Sequence, residues 1–145
     1  MNLIGMDLDH AFRHEVNIDS NADEVERYMV ALTPGLNKRW VRVALDNGDI
    51  CSVVKIGGKI AGIGWASLVN DIGRLHNLYV ERQFRRTGIA QDLLYARLLW
   101  LRSRHARSLF AEIAHDNIPS LAHVAKGGMR VTGHVFQYFK EKTHG

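Results

Sequence analysis

Hydrophobic and polar positions along this chain repeat with two periods, and the points where the period changes mark out its elements. Phe12, His14, Val16 and Ile18 alternate with polar residues, which predicts a short first strand over Arg13 to Ile18. Asp19, Ser20 and Asn21 then offer side-chain oxygens for a helix start. Val25, Met29 and Leu32 form one stripe of a helix over Ala22 to Leu32. Thr33-Pro34-Gly35 breaks it. Leu36, Trp40, Val43 and Ala44 carry helical spacing through a second helix over about Leu36 to Leu45, which Asn47-Gly48 ends.

The period then falls to two. Ile50 to Ile56 and Lys59 to Val69 read as strands joined by Gly57-Gly58, the chemistry of a tight hairpin whose central residues need positive φ. Gly62 and Gly64 inside the second strand predict that something packs closely on that face. Asn70-Asp71 turns the chain into a third strand over about Arg74 to Val80. A long amphipathic helix follows over about Gly88 to Arg104, with Ile89, Leu93, Leu94, Leu98 and Leu101 as its buried stripe. Ser108 to Ala114 reads as a strand, Ile118 to Lys126 as a short helix stopped by Gly127-Gly128, and Met129 to Thr132 and His134 to Lys140 as strands. Hairpins mixed with one strand–helix–strand crossover require a parallel pair within a mostly antiparallel sheet. The expectation is one α+β domain spanning 1–145, a single mixed sheet with helices on both faces.

Composition changes this picture little. The 145 residues are 46% hydrophobic and 23% charged, as in an ordinary globular domain. No stretch approaches the ~20 apolar residues that cross a bilayer, and Arg97 interrupts the most apolar segment, Leu93 to Leu101. Asp7, Asp9 and His10 stand where a secretory leader needs an apolar core. A single Cys51 forms no internal disulfide, so a cytoplasmic location is expected and Cys51 reads as core. Charge is more informative. Residues 1–54 hold five basic and nine acidic groups, a balance of −4, and residues 55–145 hold fourteen and six, a balance of +8. Such a basic half suits an anionic partner, either nucleic acid or a phosphorylated small molecule.

The chemistry concentrates where the third strand meets the long helix, in Leu78-Tyr79-Val80-Glu81-Arg82-Gln83-Phe84-Arg85-Arg86-Thr87-Gly88-Ile89-Ala90. A helix N-terminus leaves N–H groups unpaired at the positive end of the helix dipole. Gly88 lets an anion approach the main chain, Ala90 keeps the first turn small, and Arg82, Arg85 and Arg86 add charge. These residues suit a pyrophosphate cradle. They suit equally a solvated basic loop with a glycine for its turn.

Arg85-x-x-Gly88-x-Ala90, following a strand end, resembles the acetyl-CoA signature of the GNAT N-acetyltransferases, R/Q-x-x-G-x-G/A. Downstream, Glu112 to Ser120 resembles the family's fifth strand and its Asn-x-x-Ala/Ser helix start, and Gly128-Met129 stands where Gly-Phe is usual. The resemblance covers about residues 13 to 140. It implies the GNAT fold and acetyl-CoA as donor cosubstrate. Leu78, Tyr79 and Val80 would then border the pantetheine arm, with the main chain of Leu78 and Val80 pairing to it. Arg85, Arg86, Thr87, Gly88, Ile89 and Ala90 would hold the pyrophosphate, and Asn117 would bond the pantetheine side. One departure stands out. The family's usual tyrosine acid falls on Val124, which cannot donate a proton. His123 points elsewhere around the helix, Ser120 on the Asn117 face is either a substitute acid or just a small helix residue, and solvent is a further proton source for the thiolate, so the acid is unassigned.

A base has one better placed residue. His76 lies two and four positions before Leu78 and Val80, so alternation predicts all three on one strand face. In the arylalkylamine branch of the family this position holds a histidine base. An imidazole near pKa ~6.5 accepts a proton at neutral pH that an alkylammonium near ~10 must lose. The plain alternative is a histidine packed in the sheet, with Glu112 as a weaker rival base. The other histidines show no metal spacing, so no metal is expected. Trp40, Trp65 and Trp100 read as core or rim aromatics, with the resemblance offering Trp40 on the second helix as an alternative lining of the acceptor pocket, and Arg97, Arg102, Arg104 and Arg107 read as a solvated helix face.

The resemblance implies direct acetyl transfer to a primary amine on a small molecule or peptide, with no nucleic-acid or membrane partner and a monomer or homodimer. A non-catalytic acyl-CoA or partner-binding module, suggested by Val124, is the alternative. A nucleic-acid binder lacks interleaved aromatics and any recognition motif.

Overall fold

A computed structural model describes residues 3, 5–18 and 21–111 of the chain. Two helices come first, α1 (Ala22–Leu32) and α2 (Lys38–Asp46). Strands β1 (Ile50–Ile56), β2 (Lys59–Val69) and β3 (Ile72–Val80) follow. A 3-10 turn at Arg82–Phe84 leads into α3 (Ile89–Ser103), and β4 (Ser108–Ala111) closes the described part. The strands lie in the order β1-β2-β3-β4. β1 with β2 and β2 with β3 are antiparallel, and β3 with β4 is parallel, the geometry a helical crossover demands. The α+β reading holds.

Local chemistry explains the boundaries. Asn21 Oδ1 accepts from the N–H groups of Asp23 and Glu24 and starts α1 at the expected residue. In the β1–β2 hairpin, Gly57 and Gly58 have φ of 61° and 79°, the left-handed region at both central positions. The second helix begins at Lys38 and not Leu36, because Asn37 caps it through the N–H of Arg39. Its buried side carries Val41 with Ala44 and leaves Val43, expected on the stripe, half exposed. β3 starts earlier than expected, at Ile72, which pairs with Val69 across the turn.

The expected first strand is absent. Between Arg13 and Ile18 the chain makes one antiparallel bridge, Asn17 with Val53. The N–H groups of Arg13 and His14 donate to the Asp92 side chain instead of to a neighbouring strand. The helix expected at Ile118 to Lys126, the strands of the tail and the end of the strand beyond Ala111 lie outside the described residues.

Helices cover both faces of the sheet. α1 and α2 pack Val25, Met29, Val41 and Ala44 on Cys51, Val53, Ile63 and Trp65. α3 packs Leu94, Leu98 and Leu101 on Ala66, Leu75 and Leu109, and Ile89 and Leu93 on Val54 and Ala61. The close packing expected at Gly62 and Gly64 comes from α3. A Cβ on Gly62 would lie 2.5 Å from Ile89 Cγ2, and one on Gly64 would lie 3.0 Å from Arg97 Cζ. Arg97 therefore does not belong to the solvated face, although Arg102, Arg104 and Arg107 do. It is buried, donating from Nε to Leu93 O and from Nη1 to Trp65 O.

Gly62→Ala tests this contact. The added methyl meets a stiff, buried β-branched side chain, so urea denaturation should show a loss of ~1–3 kcal/mol, the usual cost of overpacking.

Candidate active site

β3 delivers the chain to the start of α3 through the Arg82–Phe84 turn. Thr87 Oγ1 donates to Phe84 O, and Arg85 Nε donates to Val80 O at 3.0 Å with its guanidinium 5.7 Å from the Tyr79 ring centroid. The first bond closes the loop on itself and the second holds it against the strand end. Arg86 and Gly88 have φ of 67° and 89°, and the left-handed Gly88 caps α3 with no side-chain oxygen bonded to the helix N–H groups. The first bond of the helix runs from Asp92 N to Gly88 O. No backbone N–H from Arg86 to Ala90 donates a hydrogen bond among the described residues. Unclaimed donors at the positive end of a fifteen-residue helix, beside a glycine, make an anion cradle.

The strand above the cradle is not regular. Pairing passes from Ile63↔Tyr79 directly to Trp65↔His76, so Asn77 and Leu78 stand opposite Gly64 alone. This is a β-bulge, and Asn77 takes φ of 53° within it. One extra residue reverses the alternation. Leu78 and Val80 face α3 with Ile89 and Leu93, whereas Tyr79 joins the cluster under α1 and α2. His76 lies on that second face, its ring 6.3 Å from Trp65 and 6.4 Å from Trp40. The shared face expected for His76, Leu78 and Val80 is thus corrected by the bulge.

His76 is 5% exposed. Ser67 Oγ lies 3.4 Å from Nε2 and Asn77 Nδ2 lies 3.3 Å from Nδ1, both long for hydrogen bonds. Burial pushes its pKa down to about 4, helped by the charges of Arg74 and Arg97. The ring is therefore neutral at pH 7. On the same face, Tyr28 of α1 donates to Glu81 Oε1 at 2.5 Å and ties α1 to the end of β3. Burial and that carboxylate push the Tyr28 hydroxyl pKa up. Trp40 packs edge-on against Trp65, 5.1 Å between centroids.

A second polar cluster braces the other side of the cradle. Asp92, buried in the first turns of α3, accepts from His10 Nε2 and His14 Nδ1, each at 2.8 Å, and from the N–H groups of Arg13 and His14. Burial alone pushes this carboxyl up, but the four donors outweigh it and hold its pKa below the usual range.

The structure therefore brings Arg85, Arg86, Thr87, Gly88, Ile89 and Ala90 together beside the end of β3, next to Leu78, Tyr79 and Val80. His76 stands apart, behind the bulge. Asn117, Glu112, Ser120, His123 and Val124 lie outside the described residues. Sequence reasoning missed Asp92, His10, His14 and the Tyr28–Glu81 bond. A signal existed for Asp92, a carboxylate beside the apolar stripe, but only the fold names its partners. Among the described residues no three His, Cys, Asp or Glu are grouped to hold a metal.

The chain belongs to the GNAT family of acetyltransferases, whose family model matches residues 11–127. No curated protein matches the sequence. Solved structures share the fold at low identity. The aminoglycoside N-acetyltransferase AAC(6')-Iy in complex with CoA is 18% identical, with a TM-score of 0.69 over 88% of this chain and 95% of that one. The ribosomal-protein-S18-alanine N-acetyltransferase from Escherichia coli is 17% identical, with a TM-score of 0.70 over 83% and 79%. The glucosamine-6-phosphate N-acetyltransferase from Arabidopsis thaliana is 12% identical, with a TM-score of 0.65 over 85% and 95%.

Asp92→Ala should cost ~1–3 kcal/mol at pH 7, because it strands buried donors. The carboxyl's folded pKa is depressed, so its contribution is complete above the ordinary Asp value of about 3.9 and disappears as pH falls through the lower folded value. Urea titrations from pH 7 downwards should show the difference between wild type and variant persisting to that range and closing only below it.

Proposed function

We propose that this chain transfers an acetyl group from acetyl-CoA to a primary amine of a small molecule or peptide, by direct attack and without a covalent enzyme intermediate. The run of unclaimed N–H groups from Arg86 to Ala90 carries the reading. In an acetyltransferase family member it fits a pyrophosphate, and Gly88, at φ of 89°, gives the loop a left-handed turn that side-chain-bearing residues rarely adopt. The similar structures support the donor and the acceptor class. AAC(6')-Iy was solved with CoA and with a CoA-linked bisubstrate analogue, and the others are named for a protein alanine and for an amino sugar phosphate. The +8 balance of residues 55–145 then serves the phosphates of the donor, not a nucleic acid. No helix among the described residues is long and apolar enough to cross a membrane, and we place the reaction in the cytoplasm.

Acetyl-CoA, when bound, supplies the thioester carbonyl that the amine attacks. The chain's part is to bind and orient. Arg86 to Ala90 offer N–H groups to the diphosphate, Arg85 adds charge, and the main chain of Leu78 and Val80 borders the pantetheine with Tyr79 between them. Asn117 supplies a further bond to the pantetheine side. His76 is the residue proposed to take the amine's proton, in its neutral form. Its burial against Trp65 favours a second reading, in which it walls the acceptor side and takes no proton.

Acetyl-CoA at a hundredfold excess over its dissociation constant should stabilise the fold by ~2.7 kcal/mol, and adenosine diphosphate by much less. Gly88→Glu should remove that shift, since it sets bulk and negative charge in the cradle. Equal shifts from both ligands would overturn the donor assignment.

His76→Ala should lower kcat by ~10²-fold with acetyl-CoA affinity unchanged, and His76→Gln should not restore it. With a folded pKa of about 4, the acceptor form of His76 is complete at neutral pH and is lost only as pH falls through 4. The pH–rate profile should therefore lack a histidine limb near neutrality and follow ionisation of the amine. Full activity in the Gln variant would establish the packing role.

A further inference from the structure

The cluster around Asp92 does more than close a buried charge. His10 and His14 grip the two carboxylate oxygens, and His10 is also stacked on Tyr95, 4.3 Å between centroids and 2° from parallel. Phe12 packs edge-on against the His10 ring. Between these anchors Arg13 is fixed by its own N–H, which points at the same carboxylate. Its side chain is consequently delivered to one place, the top of the cradle. The Cδ of Arg13 lies 3.0 Å from where a Cβ on Gly88 would stand, and Nε and Nη1 lie 3.6 Å from that point.

That position lies over further positive charge. The loop beneath contains Arg82, Arg85 and Arg86, and no acidic residue occurs from Arg82 to Gln91. The N–H groups beside Gly88 add further positive potential. Arg13 is exposed, and its guanidinium makes no hydrogen bond or ion pair among the described residues. Like charges gathered around unclaimed donors are stabilised when an anion enters among them.

We propose that Arg13 is a further donor-binding residue, an N-terminal guanidinium strapped over Gly88 by the Asp92 clamp to meet the pyrophosphate of CoA. The inference rests on the donor reading given under Proposed function. A guanidinium offers paired N–H donors matched to phosphate oxygens, whereas the main chain approaches from the opposite side at Gly88. Asp92, His10 and His14 act here as positioning residues. They fix the root of the Arg13 side chain and so reduce the conformational freedom lost when it engages the ligand.

Titration calorimetry on the full chain tests this with two ligands, CoA and dephospho-CoA, which lacks the 3′-phosphate and keeps the pyrophosphate. Arg13→Gln should weaken both by about tenfold or more, the scale of a charge-assisted hydrogen bond. It should also flatten the dependence of affinity on salt, and the ligand-free melting temperature should not move because the side chain is exposed. Affinity within about twofold of wild type for both ligands would overturn the proposal, as less than the smallest such bond. A loss on CoA alone would overturn the assignment to the pyrophosphate in favour of the 3′-phosphate. Wild-type protein that bound neither ligand would remove the donor reading and this inference together. Tight wild-type binding with an unaltered Arg13→Gln would remove this inference alone.

Discussion

Helix α3 lies against β2 and β3 at positions where the sheet has no Cβ, and the placing of the site depends on that contact. Gly62 accepts Ile89, Gly64 accepts the Arg97 guanidinium, and Gly73 accepts Leu101, whose Cδ1 lies 2.8 Å from where a Cβ would be. Three glycines spread over two strands thus seat the helix from its first residue to its last buried one. A helix seated so closely cannot slide along its axis without a methyl or a guanidinium striking backbone. Its N-terminus, and the donors there, are held beside the end of β3 by packing several turns away.

Arg97 shows what the seat demands. It lies four residues beyond Leu93 and four before Leu101, on the buried stripe, and its charge is neutralised by no carboxylate among the described residues. Two carbonyl oxygens and a glycine gap accommodate it. Burial lowers its pKa to about 10, still far above neutrality, so the core holds a permanent positive charge under the bulge. The bulge itself divides labour between the faces of β3. Leu78 and Val80 belong to the α3 side, and His76 and Tyr79 to the side under α1 and α2, although only Asn77 intervenes between His76 and Leu78.

Much of this was legible before the fold was known. The Gly57-Gly58 hairpin, the limits of α1 and the strand-to-helix junction at Gly88 are local matters, decided by turn chemistry and caps within a few residues. The two glycines of β2 announced a close neighbour, and α3 is that neighbour. Legibility ended where a residue answers to distant partners. Alternation placed His76 with Leu78, and nothing in the local sequence marks the extra residue that reverses it. The N-terminal segment alternates as a strand does, yet its N–H groups go to Asp92, seventy-nine and seventy-eight positions away. Arg97 was readable from its four-residue spacing with Leu93 and Leu101, but residue type suggested solvent more strongly than phase suggested burial.

Cys51 gives the protein an unplanned analytical convenience. It is the chain's sole cysteine, it is 1% exposed near the start of β1 opposite Trp65, and burial pushes its thiol pKa up. Thiol reagents attack the ionised, accessible sulfur. A chromogenic disulfide added to a folded, working sample therefore finds no competing sulfhydryl on the catalyst, and colour reports coenzyme released by turnover. Once the chain unfolds, the same reagent counts one equivalent per molecule, so a single dye can follow both reaction progress and loss of native protein.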